Sequence, residues 1–122
     1  MISFFFDTYA FYEIIVGNPK YIDFTKNVKI ATTQLNLMEL YYHLLDLYDK
    51  KHAMELFNRY KEFVVPISNS TIIEAMDFRK QHYKKNLSYV DCIGYTISRE
   101  MNVLFLTGDR QFEDIPNVKF VK

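Results

Sequence analysis

Apolar positions along the chain fall into short continuous runs separated by longer stretches of helical spacing. Ile2 to Phe6 is a run of the kind buried on both faces of a parallel sheet, and the polar pair Asp7-Thr8 ends it. Tyr9 to Val16 reads as a helix stopped by Gly17, with Pro19 just beyond. Lys29 to Thr32 predicts a second strand. Gln34 to Asp49 carries Leu37, Leu40, Tyr41, Leu44, Leu47 and Tyr48 at helical spacing, and Leu35, Met38, Tyr42 and Leu45 add a second apolar face. Such a helix is expected to be sandwiched, inside the domain or against a partner chain. His52 to Lys61 predicts another helix, and Phe63 to Ile67 a strand. Thr71 and Glu74 have capping-box spacing and open a predicted helix reaching about Lys85. Past Asn86-Leu87, Ser88 starts a helix whose Val90, Ile93, Ile97 and Met101 share a face. Val103 to Leu106 and Val118 to Val121 predict the last strands.

Strands alternate with helices, and the connections are long enough for crossovers, which argues an α/β fold with a largely parallel sheet. A length of 122 residues predicts one domain over 1–122. Hydrophobic residues at 49%, with ten Tyr and eleven Phe against three Gly and three Pro, exclude a disordered or collagen-like chain. Lys+Arg and Asp+Glu are both 15, so no global field draws the protein onto nucleic acid or an anionic membrane, and a polyanion must be held locally.

Cys92 is the only cysteine, which rules out an internal disulfide and fits a reducing compartment. Asp7 interrupts the apolar opening, no Lys or Arg precedes it and no small-residue cleavage site follows, so no signal peptide is expected. No apolar run approaches the roughly 18 residues of a membrane span. The expectation is a soluble, cytoplasmic protein without membrane association.

In an open parallel sheet ligands bind beyond the carboxyl ends of the strands, which directs attention to Asp7 after the first strand and Asp109 after Thr107-Gly108. Either acid alone is equally well explained as a helix cap. Glu39 lies on a polar stripe with Asn36, His43 and Asp46, which by itself reads as a solvated helix face. Asp91 stands three residues after Ser88, the spacing of a capping box. His43, His52 and His82 are too scattered for a zinc site, and no GxGxxG, GxxxxGK[ST] or GxSxG motif occurs.

The context of the four acids carries a resemblance. From the strand ending in Asp7-Thr8, through the Glu39 helix, to Leu87-Ser88-Tyr89-Val90-Asp91 and Leu104-Phe105-Leu106-Thr107-Gly108-Asp109-Arg110-Gln111-Phe112, the chain resembles PIN-domain nucleases of the VapC-like kind, the toxins of type II toxin–antitoxin operons. The resemblance covers essentially the whole chain, and its most specific part is the hydrophobic strand followed by Thr-x-Asp-x-x-Phe. It implies a three-layer α/β/α sandwich around the sheet. It also implies an acidic quartet of Asp7, Glu39, Asp91 and Asp109, catalytic and metal-binding, supported by Thr8 and Thr107. Many members carry a further acid where this chain has Gln111, and Asp114 is out of register to replace it.

Clustered carboxylates repel one another unless a hard divalent cation neutralises them, and Mg²⁺ or Mn²⁺ suits all-oxygen ligands. The implied activity is endoribonucleolytic hydrolysis leaving a 5′-phosphate and a 3′-hydroxyl. The implied partners are RNA and a cognate antitoxin, and the doubly apolar helix adds a predicted homodimer. Arg110, Lys84 and Lys85 are candidate phosphate contacts, although the basic run Arg79 to Lys85 also reads as a solvated face. Two other readings share these residues: an inactive interaction or RNA-binding module that kept the fold, and a housekeeping RNA-processing nuclease.

Overall fold

The computed structural model describes residues 1–122. Strands β1 (Ile2–Phe6), β2 (Val28–Ala31), β3 (Leu104–Thr107) and β4 (Val118–Phe120) form one wholly parallel sheet in the order β2-β1-β3-β4. Helices α1 (Thr8–Ile15), α2 (Gln34–Leu44), α3 (Lys50–Tyr60), α4 (Asn69–Gln81) and α5 (Tyr89–Glu100) cover it, with single 3₁₀ segments at Pro19–Phe24, Lys61–Phe63 and Arg110–Phe112.

Side chains alternate across the strands, so the central pair feeds two separate cores. Phe4, Phe6 and Leu106 pack with Ala10 and Phe11 of α1, Leu37, Leu40 and Leu44 of α2, and Ala53 of α3. On the opposite face Phe5 and Phe105, stacked with ring centroids 5.7 Å apart, meet Ala75 of α4 and Cys92, Ile93, Tyr95 and Ile97 of α5. Helices on both faces of a parallel sheet make the three-layer α/β/α sandwich that the resemblance implies. No helix is long and apolar enough to cross a membrane.

The strands and most helices lie within a residue or two of their predicted positions, and the departures have local causes. Phe63 to Ile67 is not a strand. Only Val64 bridges the sheet, pairing with Thr32, because Phe63 is drawn into a 3₁₀ turn and Pro66 has no N–H to donate. Thr71 does not cap α4: Ser68 does, its Oγ accepting from Thr71 N at 3.1 Å, while the Thr71 hydroxyl donates to Glu100 at 2.7 Å. That helix also stops at Gln81, short of Lys85.

The predicted helix to Asp49 ends at Leu44, because Asp49 caps α3 by accepting from His52 N. Only one side of α2 is covered in the single chain: Leu37, Leu40 and Leu44 are buried, whereas Met38, Tyr42 and Leu45 are 55%, 71% and 43% exposed. The helix enclosed on nearly all sides is α5 instead, where every residue from Cys92 to Ser98 is buried. Of its predicted apolar face, Ile93 and Ile97 are buried and Met101 is open.

Gly94 lets α5 sit this close to the sheet. A Cβ there would stand 2.7 Å from Phe5 Cε1 and 3.2 Å from Phe105 Cε1. Replacing a helical Gly by Ala gains about 1 kcal/mol of propensity, and forcing a methyl into a packed core costs about 1–3 kcal/mol. Gly94→Ala is therefore expected to destabilise the protein by up to about 2 kcal/mol, read as a lower urea midpoint at unchanged slope; a higher midpoint would contradict this packing.

Candidate active site

Chain direction fixes where the site lies. From β1 the chain moves outward to β2, then returns to β3 on the other side of β1 and moves outward to β4. The carboxyl ends of β1 and β3 thus flank the topological switch point, where helices diverge and leave a crevice.

Asp7 leaves β1 directly into this crevice and is only 3% exposed. It is also the N-cap of α1: Oδ1 accepts from Thr8 N at 2.9 Å. Its Oδ2 accepts from the hydroxyl of Thr107, the last residue of β3, at 2.7 Å. Asp109 N in turn donates to Thr107 Oγ1 at 3.1 Å, and Asp109 Oδ1 caps the 3₁₀ turn after β3 by accepting from Gln111 N. Asp91 closes a true capping box on α5, its Oδ2 accepting from Ser88 N at 2.9 Å while Ser88 Oγ accepts from Asp91 N. Glu39 comes from α2, where Oε1 accepts from the Thr8 hydroxyl at 2.8 Å.

All four acids line one open cavity of about 360 Å³, together with Thr8, Tyr9, Tyr12, His43 and Asp46. For Asp7, Asp91 and Asp109, capping and convergence are thus properties of the same side chains. Asp46, His43 and the two tyrosines were not singled out from the sequence. The stripe Asn36, Glu39, His43, Asp46 was visible there: Glu39, His43 and Asp46 line the crevice, His43 and Asp46 still exposed at its mouth, and Asn36 is wholly buried behind it.

The candidate phosphate contacts lie outside this lining. Lys85 pairs with Asp114 at 2.7 Å, Lys84 lies over the Tyr83 ring, and the Arg110 guanidinium faces Glu113 at 3.6 Å. Gln111 accepts from Asn86 N at 3.0 Å, tying the loop before α5 to the loop that carries Asp109. Cys92 is buried, and burial followed by the charge of Asp91 pushes its thiol up to about 11, a poor nucleophile.

Burial, followed by the charge of Asp91, pushes the Asp7 carboxyl up to about 8, against the hydrogen bonds from Thr107 and Thr8. Burial also raises Asp91, to about 6, with Asp109 and Glu39 adding to it and the Ser88 hydrogen bonds opposing it. No three of the His, Cys, Asp and Glu side chains stand close enough to form a ready cage for an ion. Bonds from Thr8, Thr107, Ser88 and Gln111 fix the orientation of the four carboxylates. Within the chain Glu39 Oε2, Asp91 Oδ1 and Asp109 Oδ2 accept no hydrogen bond. An all-oxygen set offering a few separate ligands fits Mg²⁺ or Mn²⁺, since Mg²⁺ keeps several waters and takes one or two carboxylates.

Comparison with known families matches residues 4–118 to the PIN domain. No curated protein sequence matches the chain. Among solved structures, the Mycobacterium tuberculosis VapC20, a sarcin-ricin loop cleaving toxin, superposes with a TM-score of 0.76 at 17% identity, covering 97% of this chain and 96% of that one. A toxin–antitoxin complex from Klebsiella pneumoniae gives 0.74 at 18% identity over 94% of both chains. VapBC2 from Rickettsia felis, bound to a DNA fragment from its promoter, gives 0.73 at 17% over 98% of both. At these identities the likeness is one of fold.

The raised carboxyls give stability a defined pH dependence. Asp7 rises from an ordinary 3.8 to about 8 and Asp91 from 3.8 to about 6, so between these values the folded protein holds more protons than the unfolded chain. Stability must then fall as pH rises through that window. In EDTA, urea unfolding of the wild type is expected to show lower stability at pH 8 than at pH 5, and Asp7→Asn to be more stable than wild type at pH 8. Equal stability of wild type and variant at pH 8 would contradict the burial of a charged Asp7.

Proposed function

The chain belongs to the PIN domain family, and from that membership and the acid-lined crevice we propose that it is a metal-dependent endoribonuclease acting as the toxin of a type II toxin–antitoxin pair. One observation carries the reading: Asp7, Glu39, Asp91 and Asp109, from four separate elements, converge on the crevice at the switch point of the sheet. Burying uncompensated carboxylates together is costly, and a divalent cation is the partner that offsets the cost.

Asp7, Glu39, Asp91 and Asp109 would hold the ion, one or two of them directly and the others through its waters. Thr107 and Thr8 fix the orientation of Asp7, whose charge a bound cation would compensate. When bound there, Mg²⁺ or Mn²⁺ would supply Lewis-acid polarisation of the phosphodiester and activation of the attacking water. No serine or cysteine lines the cavity to act as a covalent nucleophile. Hydrolysis by water leaves a 5′-phosphate and a 3′-hydroxyl. Restraint by an antitoxin is supported by the toxins and toxin–antitoxin complexes whose fold this chain shares. The exposed apolar side of α2 supports a homodimer.

Cleavage of a panel of structured and single-stranded RNAs is expected with Mn²⁺ or Mg²⁺ and not with EDTA. Asp7→Asn and Asp91→Asn are each expected to cost about 100-fold or more, since even outer partners of metal ligands cost about 10–100-fold. A wild type inert with both metals, with no divalent-ion binding by calorimetry, would favour the interaction-module reading. In sedimentation velocity at micromolar concentration the wild type is expected as a dimer and Tyr42→Glu as a monomer. A wild type that sediments as a stable monomer without antitoxin removes the dimer from the reading.

A further inference from the structure

Asn36 is wholly buried at the third position of α2, and none of its polar atoms is left without a partner. The N-cap Thr33 accepts from Asn36 N at 3.2 Å and donates its hydroxyl proton to Asn36 Oδ1 at 2.6 Å. Asn36 Nδ2 lies 3.1 Å from Thr8 Oγ1, and Thr8 Oγ1 lies 2.8 Å from Glu39 Oε1. These four side chains form one line from the helix start to the crevice.

Donor and acceptor rules, with the distances, set the direction in which this line runs. A carboxylate can only accept, and the Thr8 hydroxyl has two acceptors in reach, Glu39 Oε1 at 2.8 Å and the Asn36 carbonyl at 3.3 Å, of which the shorter contact takes its single proton. Thr8 Oγ1 then meets Asn36 through a lone pair, so the group facing it must be the amide NH₂. Turning the Asn36 amide over would draw the Thr8 proton to Asn36 and set the Thr8 oxygen against the Glu39 carboxylate with no proton between them. Thr33, donating to Oδ1, locks the amide against that turn.

We infer that Asn36, locked by Thr33, is a positioning residue that directs the Thr8 proton onto Glu39 Oε1 and so holds Glu39 for its role in the crevice. The inference rests on the nuclease reading for what Glu39 does, but the proton direction is a property of the metal-free chain. It also explains why a polar residue occupies a buried position on α2 beside Leu37 and Leu40. An outer partner of this kind orients a ligand and tunes its basicity.

The test has an arm that needs neither metal nor RNA. In NMR of the metal-free wild type, the slowly exchanging Thr8 hydroxyl proton is expected to show a cross-peak to the Glu39 γ-methylene. In Asn36→Leu, which leaves nothing to donate to the Thr8 oxygen and frees its hydroxyl to turn to the backbone carbonyl of position 36, that cross-peak is expected to vanish. Its persistence would overturn the inference.

In the second arm, Asn36→Leu and Thr8→Val are each expected to lose about tenfold in Mn²⁺ affinity and in kcat, with KM for RNA unchanged, and Thr8→Ser to retain both. The double variant is expected to be no worse than the weaker single, because both act through one hydrogen bond. Losses that multiply in the double variant would make Asn36 a merely structural residue. Wild-type cleavage of RNA judges the nuclease reading separately, so an inert wild type with an intact cross-peak pattern overturns that reading and leaves the relay standing.

Discussion

A carboxylate is buried where the two central strands end, and the architecture of the crevice follows from how it is held. Asp7 receives a backbone N–H from Thr8 and a hydroxyl from Thr107, so β1, α1 and β3 are joined at one side chain. The same Thr107 oxygen receives Asp109 N, which extends the junction into the loop after β3. Desolvation opposes this arrangement strongly enough to raise the Asp7 carboxyl to about 8. A site of this kind persists because the cores on both faces of the sheet outweigh one costly group.

Those cores also explain how the other acids reach Asp7. Phe5 and Phe105 stack beneath Gly94, and the absence of a Cβ there seats α5 directly on the central strands. The N-terminus of α5 therefore opens beside the ends of β1 and β3, bringing Asp91 with it. On the other face Leu37, Leu40 and Leu44 press α2 against Phe4, Phe6 and Leu106, which places Glu39 within reach of Thr8. Packing sets the positions, and hydrogen bonds set the orientations.

Asp7 and Asp109 cap helical elements and Asp91 stands in the first turn of α5, and the backbone N–H groups they accept lower the cost of keeping charge in the crevice. Capping leaves part of each carboxylate unspent. Local structure and proposed chemistry are thus compatible demands on one residue, and a capping box is no argument against a site. At Glu39, which caps nothing, a side-chain relay through Thr8 supplies the orientation instead.

Much of this was legible along the chain, because short apolar runs have few ways to be buried other than as inner strands, and caps such as Ser88 with Asp91 are local in sequence. The alternation of strands and helices determined the α/β class, and the acids after β1 and β3 were visible at strand ends. Tertiary structure alone decided where the pattern was locally ambiguous. Asp49 could continue one helix or cap the next, Ser68 and Thr71 could both open α4, and Phe63 to Ile67 lost its strand to a turn and to Pro66. It also decided that Glu39, His43 and Asp46 line a crevice and that Lys85 spends its charge on Asp114. Periodicity reports which residues share a face, but what lies opposite that face depends on contacts between segments far apart in the chain.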